Sequence, residues 1–219
     1  MPVALFTIPL GLDLTAVAVG AIQGAMFAGR LKEHRIDLLG VSIIGVVVGL
    51  GGGLLRDVLL NAPLSLTQNN WYLIVATLAA LVGMLLQRAF NRLGPLIIAL
   101  DAVTIGLFGA IGTTKALAFG VPVVPAVFIG VVSAVGGSIL RDMMLNLPIA
   151  LMHVGSLYAV AAAAGTILVV ALAAAGVSNT LAGIAGVVVT ALLRLLAVRF
   201  GWSLPEQRAI GSWTRWRRG

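Results

Sequence analysis

The 219-residue chain is 60% hydrophobic and only 10% charged, with a formal net charge of +7 and no cysteine. Soluble domains carry about 25% charged residues, so a water-soluble enzyme or binding domain is excluded, and disulfides and thiolate metal sites go with the cysteines. A bilayer accepts this composition, each span taking about 20 mostly apolar residues.

The first span is read over residues 10–29, with Asp13 near its start and Gly29-Arg30 at its end. No basic n-region of a signal peptide precedes it, so the run is expected to be retained. The polar stretch from Arg30 to Asp37, with Lys32, His34 and Arg35, leads to the second span, 38–60. That span carries Gly51-Gly52-Gly53 and then Arg56-Asp57. Residues 64–70 are read as a loop before the third span, 70–88. A loop over 88–95, holding Arg88 and Arg92, precedes the fourth span, 95–117, with Asp101 near one end and Lys115 near the other. After Gly120-Val121-Pro122 comes the fifth span, 122–146, with Gly136-Gly137-Ser138 and Arg141-Asp142. Pro148 ends it, and spans 152–175 and 179–198 complete the set.

Seven spans put the loops after spans one, three and five on the side of the C-terminus. That side receives 11 of the 14 Lys and Arg, from Arg30 through Arg194 and Arg199 to the tail residues Arg208, Arg215, Arg217 and Arg218. The positive-inside rule makes this face cytoplasmic and the N-terminus external. The Trp and Arg residues of 213–218 read as an interfacial anchor against anionic lipid rather than a nucleic-acid site.

The glycine and Arg-Asp pattern of residues 51–57 recurs at 136–142, an offset of 85 residues. Leu60-Asn61 and Pro63 match Leu145-Asn146 and Pro148, and Gly20-Ala21-Ile22 matches Gly109-Ala110-Ile111. Asp13 and Asp101 open the two copies. Each copy holds three spans, an odd number, so the second enters the membrane from the opposite face. Such inverted repeats are typical of transporter-like folds. The expected architecture is one all-α transmembrane domain: repeat one over about 10–90, repeat two over about 98–175, an extra seventh helix over about 179–198 and a basic tail over 199–219.

Glycines weaken a helix by about 0.5–1 kcal/mol each relative to Ala. The clusters are therefore read either as bends beside a wet path or as close helix crossings. Charge at membrane depth costs at least ~2.5–3.5 kcal/mol unless paired or hydrated. The set Asp13, Arg56, Asp57, Asp101, Lys115, Arg141 and Asp142 is thus expected to pair or to line a path, Asp13 with Arg56 and Asp101 with Arg141. Lys115 either snorkels to the outer interface or sits in the path. His34 and His153 lack clustered carboxylates for a metal. The serines lack a base, and Gly49 to Gly53 lacks the Gly-Lys-Ser/Thr of a phosphate loop. No enzymatic activity, metal or cofactor is expected, and no nucleic-acid partner.

The doubled Gly-Gly-Gly/Ser-x-x-Arg-Asp-x-x-Leu-x-x-x-Pro pattern resembles the prokaryotic trimeric intracellular cation (TRIC) channel family, as does Leu100-Asp101-Ala102 followed by the stretch from Gly109 to Ala116. The resemblance spans about residues 10–175. It implies a homotrimer in a prokaryotic inner membrane, with one hourglass pore per protomer passing K⁺ and also Na⁺ between broken second and fifth helices. Gly51, Gly52, Gly53, Gly136 and Gly137 carry over as kink residues, and Ser138 departs from a third glycine. Bound lipid is compatible with it. The lysine-centred motif of animal members is not matched, since Ala116-Leu117 follows Lys115, so phosphoinositide regulation is not implied. Relatives of similar sequence have also been considered small-solute transporters, with glycine as a candidate, and the inverted repeat suits either role.

Overall fold

The computed structural model describes residues 9–31, 36–89, 94–152 and 157–204. Lys32, His34, Arg35, Arg92, His153 and the basic tail from residue 205 onward lie outside the described residues.

The helices are α1 (Leu10–Arg30), α2 (Leu38–Leu59), α3 (Ser65–Gln68), α4 (Trp71–Ala89), α5 (Gly94–Ala118), α6 (Val123–Met144), α7 (Tyr158–Ala174) and α8 (Asn179–Phe200). Six of them are long and apolar enough to cross a membrane, and α7 is a shorter apolar helix of 17 residues. Large apolar side chains face outward, among them Leu78 and Leu85 on α4 and Leu181 and Ile184 on α8, as lipid-facing surfaces require.

Helix ends follow local chemistry. The Asp37 carboxylate caps α2 by accepting from the Gly40 N–H at 2.7 Å. α5 ends where Gly120 takes a φ of 75°, and the Val121 N–H reaches back to the Ala116 carbonyl at 3.1 Å. α2 and α6 end on Asn61 and Asn146, at φ 47° and 49°. Asn is among the few residues other than glycine that visit this region routinely. The Ala62 and Leu147 N–H groups then return to the Asp57 and Asp142 carbonyls at 2.9 and 2.8 Å. This is the physical content of the repeated Leu-Asn pair.

Two sequence expectations change here. Residues 64–70 contain the one-turn helix α3, not loop alone. Where a span is expected from residue 152, Ala150–Met152 form a 3-10 turn, and the described α7 runs over Tyr158–Ala174. The Asp142 carboxylate holds this turn by accepting from the Ala150 N–H at 3.0 Å. Its counterpart is Asp57, which accepts from the Ser65 N–H at 2.8 Å.

α2 and α6 form the centre and pack against each other. α1 and α4 pack with α2, α5 and α7 pack with α6, and α8 lies against α5 and α7. Each central helix is continuous through its glycines, so the expectation of broken helices is corrected. The glycines are instead where the helices touch. A Cβ on Gly52 would collide with the Ser133 carbonyl, and one on Gly137 with the Val48 carbonyl. Gly51 faces Gly137, whose Cα would lie 3.2 Å from an added Cβ. In lipid, where helices gain little hydrophobic drive to associate, such close approach supplies the van der Waals contact that holds them.

Candidate functional site: two charged chambers

The crossing of α2 and α6 leaves a polar cluster on either side. The first is built on the C-terminal turn of α2. The Arg56 Nε donates to Asp57 Oδ1 at 2.8 Å, its Nη1 lies 3.4 Å from Asp13 Oδ1, and its Nη2 donates to Ser65 Oγ at 3.1 Å. Asp57 also accepts from the Ser65 hydroxyl at 2.7 Å and from Lys115 Nζ at 2.8 Å. The Tyr72 hydroxyl donates to Asp13 Oδ2 at 2.6 Å. Arg56 and Asp57 are fully buried.

The second cluster is built on the matching turn of α6. The Arg141 guanidinium pairs with Asp142 Oδ1 at 2.8 Å and lies 3.8 Å over the Phe27 ring. Asp101 Oδ1 accepts from Gln23 Nε2 at 3.2 Å and from the Tyr158 hydroxyl at 3.2 Å. Arg194 Nη2 stands 3.5 Å from Asp101 Oδ2, with the guanidinium 4.5 Å over the Tyr158 ring. Ser138, the residue that replaces a third glycine, donates to the Val135 carbonyl at 2.8 Å and lies 2.9 Å from the Tyr158 hydroxyl.

The expected Asp13–Arg56 pair is present. The expected Asp101–Arg141 pair is not, because Arg141 is taken by Asp142 and by Phe27, and Arg194 from the seventh long helix pairs with Asp101 instead. Lys115 does not snorkel outward, since its ammonium ends on Asp57 and, at 3.3 Å, on Ser65. The structure thus brings the seven charged residues into two groups and adds an eighth. Each group holds two carboxylates and two cations, Asp13 and Asp57 with Arg56 and Lys115, and Asp101 and Asp142 with Arg141 and Arg194. Both groups are formally neutral, as burial at this depth demands.

By sequence Arg194 falls among the cytoplasmic-side cations. Its signal was the stripe Ala182, Gly186, Thr190, Arg194, four-residue steps that place it on the buried face of α8. The chain's two tyrosines, Tyr72 and Tyr158, also stand in repeat register, 86 residues apart, and both reach the carboxylate that opens their own copy.

A cavity of about 10 Å³ accompanies each cluster, room for roughly one water. The first is lined by residues including Asp13, Gly53, Arg56, Asp57 and Tyr72. The second is lined by residues including Gln23, Asp101, Gly137, Ser138 and Tyr158.

A family model described as "Glycine transporter" matches residues 10–88 and 98–174, which coincide with the two repeats. A UPF0126 membrane protein of Vibrio cholerae is 36% identical over 197 residues, covering 89% of this chain and 80% of its own. The UPF0126 inner membrane protein YadS of Escherichia coli is 36% identical over 198 residues, covering 89% and 93%. Among solved structures, the TRIC trimeric intracellular cation channel orthologue from Rhodobacter sphaeroides aligns with a TM-score of 0.80 at 29% identity, covering 88% of this chain and 98% of its own. The resemblance drawn from the doubled motif is thereby upheld in the fold, that of a multi-pass membrane protein.

Proposed function

We propose that this chain, which belongs to the family described as "Glycine transporter" and to its UPF0126 membrane relatives, is a monovalent cation channel with one path per protomer. The path runs through the first chamber, past the α2–α6 crossing and into the second chamber. The observation that carries the reading is the pair of neutral, buried charge clusters on either side of that crossing, in a fold that aligns with a cation channel over nearly its whole length. Carboxylates, serine and tyrosine oxygens and ordered water can replace part of a cation's hydration shell. K⁺ and Na⁺ are the proposed permeant ions. The proposed orientation has the first chamber towards the outside and the second towards the cytoplasm, with the N-terminus external and the C-terminus cytoplasmic, in the inner membrane of a prokaryotic cell, and it is supported by the bias of Lys and Arg to one side. A homotrimer is the proposed assembly, in line with the trimeric channel it aligns with.

Glycine transport is the second reading, favoured by the description of the family. Two features weigh against it. A substrate carboxylate wants a cation or a helix N-terminus, and each chamber cation already pairs with a carboxylate. The chambers in this conformation are also water-sized.

The two readings separate in proteoliposomes. A channel releases trapped K⁺ down its gradient at a rate that excess external glycine leaves unchanged, and it shows no counterflow of labelled glycine. Saturable glycine counterflow without K⁺ release would establish the transporter and end the channel proposal.

A further inference from the structure

We propose that Phe108 is the hydrophobic barrier between the two chambers and sets whether the path is open; this rests on the cation-path reading. Among the described residues that line the two cavities, Phe108 alone lines both. Its side chain is 2% exposed. From α5 it reaches between α1 and α2. A Cβ added to Gly20 would lie 3.4 Å from its Cε2, and one added to Gly52 would lie 3.3 Å from its Cδ1. The ring therefore fills a slot whose walls are two glycines.

On one side of the ring stand Asp13, Arg56 and Asp57; on the other stand Gln23, Asp101 and Tyr158. Polar groups that could hold water or an ion are thus divided by a phenyl ring that offers none. Hydrophobic constrictions of this kind gate by dewetting. The matched Gly20-Ala21-Ile22 and Gly109-Ala110-Ile111 put Val19 at the corresponding place in the first copy. One copy alone therefore supplies the ring, and the barrier breaks the symmetry of the repeat. The same slot explains why Gly52 carries no side chain on that face. A larger residue there would meet both the Ser133 carbonyl and the ring.

The absence of native cysteine allows a direct test. Ser65→Cys places a thiol in the first chamber and Ser138→Cys places one in the second. Ag⁺, a thiol-reactive monovalent cation, is applied from either face of reconstituted vesicles, with K⁺ efflux measured in parallel. With Phe108 in place, each thiol is expected to react at least tenfold faster from one face than from the other, and the two to prefer opposite faces. In Phe108→Ala both thiols should react from either face, and K⁺ efflux should rise about tenfold or more, each factor of ten being about 1.36 kcal/mol off the barrier. Phe108→Leu keeps the slot filled and the protein folded, and should give an intermediate rise. The barrier is overturned if either thiol reacts at equal rates from both faces while Phe108 is present. It is overturned equally if folded Phe108→Leu and Phe108→Ala retain wild-type flux and sidedness. Should sidedness be lost in the variants while no form carries K⁺, the barrier stands and the cation reading falls. Should wild type carry K⁺ and no substitution alter flux or sidedness, the cation reading stands and the barrier falls.

Discussion

Asp57 accepts four hydrogen bonds, from Arg56, Lys115 and both the N–H and hydroxyl of Ser65. It ties together α2, α3 and α5. Asp142, its repeat partner, accepts from Arg141 and the Ala150 N–H, with no lysine opposite it among the described residues. Removing one member of a buried pair strands the other charge at a cost of about 3–5 kcal/mol. Asp57→Asn leaves two cations with a neutral partner, whereas Asp142→Asn leaves one. Thermal unfolding in detergent should therefore show the larger loss for Asp57→Asn, and equal losses would contradict the asymmetry. At this scale the charged residues were legible because ionisable groups stand out in an apolar run. Their partners were less so. Arg194 sits near the end of a span, where a cation also satisfies the positive-inside rule, so only its four-residue spacing from Thr190 and Gly186 marked the buried face. Tyr72 and Tyr158 carry no charge, and only their repeat register marks them in the sequence.

At the scale of elements, glycine clusters admit two physical readings, bending and close packing. Close packing is what Gly51, Gly52 and Gly137 show, each facing backbone across the crossing. Composition could not separate the two, because the same residue permits both. The glycines are also unequal. Gly52 and Gly137 abut carbonyls across the crossing, whereas a Cβ on Gly53 would meet only the Arg56 Nη2, at 3.6 Å. Gly53→Ala should accordingly cost little. Gly52→Ala or Gly137→Ala should destabilise by about 1–3 kcal/mol, the usual penalty for overpacking, and lower K⁺ flux. Melting temperatures of the three variants check this, and a Gly53→Ala variant as damaged as the others would contradict it. The natural serine at position 138, the counterpart of Gly53, fits the same ranking. The spans themselves were legible from apolar runs and the proline and glycine breaks between them. The Asp142 carboxylate holds the backbone at Ala150 ahead of α7, a tertiary contact that hydropathy does not register.

At the scale of the molecule, the duplicated motif carried most of what could be read, because two copies of one pattern fix equivalent positions without coordinates. What it left out is where the copies differ. Lys115 crosses from α5 to complete the first chamber, Arg194 comes from the helix outside both repeats to complete the second, and Phe108 stands in one copy only. The two chambers are therefore matched in charge but built from unlike parts, and the central claim is that a cation passes between them. Single-channel recording across a planar bilayer with a tenfold KCl gradient tests that claim most directly. A cation path gives discrete steps that reverse near the K⁺ equilibrium value, about 59 mV in magnitude for a tenfold ratio of a monovalent ion. Reversal near zero, or a bilayer with no steps from protein that exchanges glycine, would contradict it.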